Sequence, residues 1–465
     1  MIVMKFGGTS VADPAAIERL VSIVRAERQV MIQPESADWR GPLVVVSALS
    51  GVTDRLLGVA AEAGAGDAEG ARTNLRELRA RHHAVAEVIA GASERAAVDA
   101  AIDREFDELE RIVGALAVLR EVSTRWLDAI AATGEVLSSQ IVTAALTTRG
   151  LAAGWVDARV VMKTNAEHGA AAPLSEETGV ELQRVVDPIL RDRRIPVIGG
   201  FVGSTVDGVT TTLGRGGSDY SAAVIGAGLD ASEIQIWTDV DGMLTADPRI
   251  VKDPRVVPHL SFAEASELAY FGAKVLHPAT IQPAVSQNIP VRILNSHRPS
   301  ARGSLITSAR PASASPVTAI ASKAPVTVVD ITSTRMLMTH GFLRRLFEIF
   351  ERHKAAVDVV TTSEVSVSVT VDDTRRLATI ISELSAFADV SREDDMAIVC
   401  VVGEGLQIDP SLVGQMIGAA GDVPLKLVSQ AASRRNVTIV VRESDLPKVL
   451  YRLHDRFFAT AGERA

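Results

Sequence analysis

Short apolar runs alternate with stretches of helical periodicity through residues 1–303. Residues 2–4 predict a buried strand, and 11–24 carries apolar residues at helical spacing. Between them Gly7 and Gly8 permit a tight turn, and Thr9 and Ser10 are helix N-cap types. Residues 43–46 predict a second buried strand that runs into S-A-L-S-G-V-T-D (47–54). The stretch 58–135 is rich in Ala, Arg, Glu and Leu, has no proline and predicts mostly helix. Further strands are expected at 155–161, 195–202, 234–237 and 289–295. This alternation implies a mainly parallel sheet with helices on both faces, an α/β class. Residues 302–325 shift to Ser, Ala, Arg and Pro, the composition of a linker. Beyond it come a strand at 326–331, a helix at 341–354, strands at 357–361 and 365–371, a helix at 375–386 and a strand at 397–402. That order is a ferredoxin-like βαββαβ module. A related unit follows, with helix 411–420, strands 425–429 and 437–441, and helix 446–457.

The 465 residues suffice for three domains at roughly 150 residues each. Hydrophobic content of 47% and charged content of 23% are ordinary for a globular chain. A formal charge of -9 argues against nucleic acid or an anionic membrane as the main partner. An anionic substrate then needs locally placed Lys and Arg. The one cysteine, Cys400, sits in the apolar run 397–402 and reads as core. The apolar start is too short for a signal peptide, and no apolar stretch is expected to span a bilayer. A reducing cytoplasm fits these features.

Strand, glycine turn and helix N-terminus is an arrangement that holds phosphate, because free N–H groups and the helix dipole favour an anion. Lys5 adds a point charge at that turn. An ordinary strand-turn-helix with a solvated lysine has the same pattern. Neither the P-loop motif nor G-x-G-x-x-G occurs here. A second glycine-rich loop, T-T-T-L-G-R-G-G-S-D-Y-S-A-A (210–223), carries Arg215 and Asp219. Glu135 follows Gly134 and is expected to open a fresh apolar helix, where a glutamate also serves simply as a helix N-terminal residue. Lys274 lies on an expected helix in F-G-A-K-V-L-H-P (271–278). Lys5, Arg215, Lys274, Glu135 and Asp219 with two glycine loops form the kind of set phosphoryl transfer needs, which is mostly positioning and charge stabilisation. A carboxylate acceptor is already ionised at neutral pH and needs no general base. Among these loops only the last holds a histidine, His277.

K-F-G-G-T-S-V-A-D (5–13) resembles the opening signature of the aspartokinases, within the amino-acid kinase family. The resemblance continues in order through S-A-L-S-G-V-T, T-G-E, G-F-V-G, T-T-L-G-R-G-G-S-D-Y, W-T-D-V-D-G, T-A-D-P-R, F-G-A-K-V-L-H-P and T-T-S-E-V-S-V, and covers essentially the whole chain. It is most similar to the monofunctional, lysine-sensitive bacterial type. It implies an amino-acid kinase domain at 1–303, a linker at 304–322 and two ACT domains at 323–402 and 403–465. The activity implied is transfer of the γ-phosphoryl group of ATP, with Mg²⁺, to the β-carboxylate of L-aspartate, opening the route to lysine, threonine and methionine. Carried over residue by residue, Lys5 and Asp219 serve catalysis, with Asp219 organising Lys5 rather than acting as a base. Thr53, Glu135, Phe201, Arg215 and Ser218 hold aspartate, Arg215 on its α-carboxylate and Glu135 on its ammonium. Lys5, Gly7, Gly8, Ser10, Thr238, Asp239, Leu244, Arg249 and Lys274 hold ATP. Leu244 departs from a tyrosine common in relatives. No metal ligands are implied.

The resemblance also implies an effector site at Met336, Thr339, Gly341, Phe342, Leu343, Asp358, Ser363 and Glu364. Met338, Thr339 and Ala356 stand where polar residues are expected in lysine-sensitive relatives, so the effector is lysine or threonine. Paired ACT domains imply a homodimer, or a tetramer. Two other readings compete: a family member acting on glutamate, acetylglutamate or a nucleoside monophosphate, and a non-catalytic amino-acid sensor. Glu135 with Arg215 and the ACT pair argue against the first. The presence of Lys5, Arg215 and Asp219 together argues against the second.

Overall fold

The computed structural model describes the chain apart from residues 32–40, 273–277, 312–314, 334–339, 431, 434 and 460–465. Two compact units result, one of Met1–Gly242 with Leu276–Ala309, the other of Met243–Val275 with Arg310–Ala465.

The first unit opens with β1 (Ile2–Phe6), α1 (Pro14–Met31) and β2 (Leu43–Val46). Four long helices follow: α2 (Val52–Gly64), α3 (Ala68–Ile89), α4 (Ala92–Leu119) and α5 (Thr124–Thr148). Next are β3 (Ala153–Val156), α6 (Ala158–Val161), α7 (Ser175–Arg191), β4 (Ile195–Gly199), the hairpin β5 (Val202–Ser204) and β6 (Thr210–Thr212), α8 (Gly217–Gly228) and β7 (Glu233–Thr238). The chain then supplies β8 (His259–Ser261) and α9 (Phe262–Tyr270) to the second unit. It returns with α10 (Gln282–Ser286), β9 (Val291–Asn295) and β10 (Ser304–Thr307). Within this unit the sheet order is β3-β4-β2-β1-β7-β9-β10, parallel except for the β9–β10 pair. All four residues of β2 are buried, as expected of a strand covered on both faces. Because β1, β2, β4, β7 and β9 are parallel, the turns that follow them share the carboxyl edge of the sheet, where open α/β sheets hold ligands.

Four expectations need correction. Glu135 lies in the middle of α5 rather than at a helix start. By length and composition α5 is long and apolar enough to cross a bilayer, yet 83% of its most apolar window is buried inside the protein. Its apolar character serves packing in the core. The expected strand at 155–161 ends at Val156, and Asp157 caps α6 by accepting the Arg159 N–H. The expected linker holds structure at both ends, since Ser304–Thr307 pairs with β9 and the next strand begins at Ala319.

The second unit contains β11 (Ala319–Thr332), α11 (Phe342–Arg352), β12 (Val360–Thr362), β13 (Ser366–Val371), α12 (Leu377–Leu384), β14 (Asp389–Val402), α13 (Ser411–Ala420), β15 (Leu427–Gln430), β16 (Asn436–Arg442) and α14 (Leu446–Phe458). Its antiparallel sheet runs β12-β13-β11-β14-β16-β15. Two βαββαβ modules share the long strands β11 and β14, whose register shifts between Lys323 and Val326 and again between Val326 and Val328. One module uses the later part of β11 and the earlier part of β14, with α11 and α12 closing a core around Val329, Leu346 and Val369. The other begins at 396–402, continues through α13, β15, β16 and α14, and takes residues 319–323 as its fourth strand. Its core gathers Val399, Met416, Ile439 and Leu450. Strand pairing therefore redraws the expected boundaries at 323 and 402, because one module is inserted into the other. Cys400 is buried in β14, and burial pushes its thiol pKa well above the ordinary range.

Candidate active site

At the carboxyl edge of the first sheet lies a cavity of about 300 Å³ lined by Lys5, Ser47, Thr53, Glu135, Phe201 and the 214–219 loop. Lys5 is the penultimate residue of β1, between Val45 and Ile236 in register. Its Nζ lies 2.6 Å from Oδ1 of Asp219 in the first turn of α8, and both side chains are almost fully covered. The pair fixes an ammonium at the cavity floor. A carboxylate that spends an oxygen on this ammonium holds it in place, which suits an organising role for Asp219.

The turn after β1 is more self-contained than expected. The Gly7 N–H donates to the Trp237 carbonyl at 3.0 Å and the Ser10 N–H to the Gly7 carbonyl at 2.9 Å. The Ser10 hydroxyl donates to Ser296 Oγ at 2.8 Å. Of the three turn residues expected to offer donors, Gly8 alone keeps an amide without an acceptor among the described residues.

Glu135 reaches the cavity from α5 and is 3% exposed. The Ala48 amide donates to its carboxylate, while Oε2 has no partner among the described residues. Burial pushes its pKa up to about 8 from the ordinary 4.5. Gly134 makes this position reachable: a Cβ there would sit 2.8 Å from Ala48 Cβ, so glycine lets α5 lie against the 47–51 loop. Phe201 holds φ +66, a left-handed conformation rare outside glycine. Its N–H donates to Ser221 Oγ at 2.9 Å and its carbonyl accepts the Leu213 N–H at 2.9 Å. Strain of this kind concentrates at functional sites. Ser47 Oγ donates to Ser218 Oγ at 3.0 Å. Arg215 is exposed, with no ion-pair partner among the described residues.

Thus Lys5, Thr53, Glu135, Phe201, Arg215, Ser218 and Asp219 meet around one cavity. Thr238 ends β7 and Asp239 follows it at the same sheet edge, where the Thr238 hydroxyl donates to Asp239 Oδ1 at 3.1 Å. Leu244 and Arg249 belong to the second unit. Leu244 is half-buried and bridges Val256, and the Arg249 guanidinium is taken up by Asp247, with Nε 3.0 Å from Oδ1. Lys274 lies outside the described residues. No group of three or more His, Cys, Asp or Glu that could hold a metal ion occurs among the described residues.

The expected effector residues that are described differ in burial and contacts. Met336 and Thr339 lie outside the described residues. Phe342 is core, edge-on to Phe387 at 5.6 Å between ring centres, whereas Leu343 is exposed and Gly341 precedes α11 at φ +84. Ser363 pairs with Ser366 in the β12–β13 turn, and Glu364 is exposed. Asp358 is buried against Lys323, whose Nζ is 2.8 and 2.9 Å from its two oxygens and 2.8 Å from Asp372 Oδ2. Burial raises the Asp358 pKa despite the lysine. Lys323 stays above its ordinary value despite its own burial, because two carboxylates share one ammonium. Sequence reasoning missed Lys323, which is 35 residues away in the chain, and Ser47, signalled only by its place after a buried strand.

The family model for the amino acid kinase family matches residues 1–295, and a model for an ACT domain matches 399–457. Lysine-sensitive aspartokinase 3 of Escherichia coli (strain K12) is 35% identical, over 98% of this chain and 99% of its own length. Chloroplastic aspartokinase 1 of Arabidopsis thaliana is also 35% identical, over 98% of this chain and 80% of its own. The structure of E. coli aspartokinase III in complex with aspartate and ADP superposes with a TM-score of 0.83 at 34% identity, covering 99% of this chain and all of that one. With its parallel α/β unit, its two βαββαβ modules and its lysine–aspartate cavity, the chain belongs to the aspartokinases of the amino acid kinase family.

Proposed function

We propose that this protein transfers the γ-phosphoryl group of ATP, taken as its Mg²⁺ complex, to the β-carboxylate of L-aspartate, yielding 4-phospho-L-aspartate and ADP. The observation that carries this reading is Glu135: a buried carboxylate with one oxygen that has no partner among the described residues, in one cavity with the Lys5 ammonium and with Arg215, which has no ion-pair partner among the described residues. An amino-acid zwitterion answers both unpaired groups, its ammonium to Glu135 and its α-carboxylate to the planar fork of Arg215. The side-chain carboxylate then points toward Lys5. One of its oxygens attacks the γ-phosphorus as the bond to the β-phosphate oxygen breaks, and no proton need move. Lys5 stabilises charge on the transferring oxygens, and the Gly8 amide adds a donor. Thr53, Phe201 and Ser218 shape the aspartate end. Thr238 and Asp239, at the carboxyl end of β7, are assigned to the nucleotide, the role that the sequence resemblance also implies for Leu244 and Lys274. Gly7 and Ser10 keep the turn's shape, and Arg249 must leave Asp247 to contact a phosphate.

Glu135 gives the reading a pH signature. The ligand-free carboxyl keeps its proton up to about pH 8, whereas an ammonium beside it favours the ionised form. Aspartate binding near neutrality therefore releases a proton, and the KM for aspartate should fall as pH rises from about 6 to about 8. By the same linkage, Glu135 withdraws stability from the ligand-free protein as pH rises from 4.5 to about 8, since the native state keeps a proton the unfolded chain has lost. Aspartate-dependent ADP release measured across this range tests the first claim, with N-acetylaspartate as a control that lacks the ammonium, and denaturant unfolding of the ligand-free protein across the same range tests the second. Turnover of N-acetylaspartate equal to that of aspartate, or a flat KM in wild type, would contradict the assignment. Glu135→Gln should flatten the profile.

Feedback by lysine through the second unit follows from the lysine-sensitive relative and from E. coli aspartokinase III, whose structure is also known in complex with lysine and aspartate. Asp358→Ala should relieve inhibition with little loss of uninhibited rate, and unchanged inhibition would place the effector elsewhere. Threonine brings no side-chain ammonium to compete with Lys323 for Asp358, so the Lys323 pair favours it as the alternative. A homodimer through the ACT modules is the expected assembly, and a monomer by light scattering would contradict it.

A further inference from the structure

We propose that Asp128 is a positioning residue that aims Arg215, acting through Thr212 and Gly169. The proposal rests on the assignment of Arg215 to the substrate α-carboxylate. Asp128 lies on α5 two helical turns before Glu135, on the same face, and is 1% exposed. Its carboxylate accepts from His168 Nδ1 at 2.7 Å, from the Gly169 amide at 3.0 and 3.1 Å, and from Thr212 Oγ1 at 2.5 Å. One buried carboxylate thus joins the 165–170 loop to the last residue of β6.

Two of these partners, Thr212 and Gly169, lead to the Arg215 loop. Thr212 is followed by Leu213, Gly214 and Arg215, and the Thr212 carbonyl accepts the Ala171 N–H at 2.9 Å. Gly214 holds φ +75, and a Cβ on it would lie 3.1 Å from the Gly169 carbonyl oxygen, so the residue beside Arg215 rests directly on the loop that Asp128 grips. On the other side the Leu213 N–H is fixed to Phe201. Arg215 has no ion-pair partner of its own among the described residues, so its direction comes from these backbone anchors. A guanidinium fork is useful only when both N–H groups meet the carboxylate, which makes aspartate binding sensitive to small shifts of the loop. ATP, which does not use Arg215, should be indifferent to them.

Asp128→Asn and Thr212→Val should each raise the KM for aspartate about tenfold, with kcat and the KM for ATP within about twofold of wild type. In an Arg215→Ala background neither should raise it further, because the anchored group is gone. Thr212→Val removes a single hydroxyl and decides the matter if Asp128→Asn does not fold. Equal losses toward both substrates, or effects that add fully to Arg215→Ala, would reduce Asp128 to a general support of the fold and overturn the proposal. Arg215→Ala without effect on aspartate would instead overturn the assignment beneath it.

Discussion

Lys5→Ala is expected to lower kcat by about 10³-fold or more, with a native circular dichroism spectrum. The lysine is held at the cavity floor by β1 pairing on both sides and by Asp219 at 2.6 Å. It is ordered before substrate arrives, and a charge placed in advance costs no reorganisation when negative charge shifts onto the transferring oxygens. Removing it also leaves Asp219 facing those oxygens as an uncompensated anion, so the loss combines missing attraction with new repulsion. Lys5→Arg should rescue little, since a planar fork does not replace a compact ammonium beside Asp219. A kcat for Lys5→Ala within tenfold of wild type would remove Lys5 from the reaction.

Arg215→Ala is expected to raise the KM for aspartate about 10²-fold while the KM for ATP changes little. Two charge-assisted hydrogen bonds at about 1.5 kcal/mol each amount to that factor. The ligand-free protein should be unaffected in thermal stability, because Arg215 is exposed and carries no ion pair among the described residues. That separation makes the variant informative: a fall in stability with no shift in KM would mean a structural role. An effect confined to ATP would move Arg215 to the nucleotide. Arg215→Lys should recover part of the affinity as a point charge without the bidentate geometry.

Much of the site was legible because its parts are local. The apolar run before Lys5, the glycines after it and the 210–223 loop are each contiguous, and strands buried on both faces bring such turns to one edge. Glu135 was found as a residue but misplaced as a helix start. Glycine inside a helix costs about 1 kcal/mol on propensity alone, so Gly134 looked like a break. Contact with Ala48 overrides that preference. The exchange of strands between the βαββαβ modules was invisible for a different reason. Residues 319–323 pair with 398–402, and nothing in the local pattern of either segment states its partner. The same holds for Asp128 with His168 and for Lys323 with Asp358, polar contacts between residues 40 and 35 positions apart.

The central claim is that a carboxylate of aspartate receives phosphate in this cavity. Hydroxylamine traps an acyl phosphate as a hydroxamate and leaves phosphate esters untouched, so it reports the bond itself. Incubation with ATP, Mg²⁺ and aspartate should yield aspartyl hydroxamate in step with ADP, and Lys5→Ala should abolish both. ADP release without hydroxamate, or no aspartate-dependent turnover at all, would contradict the account.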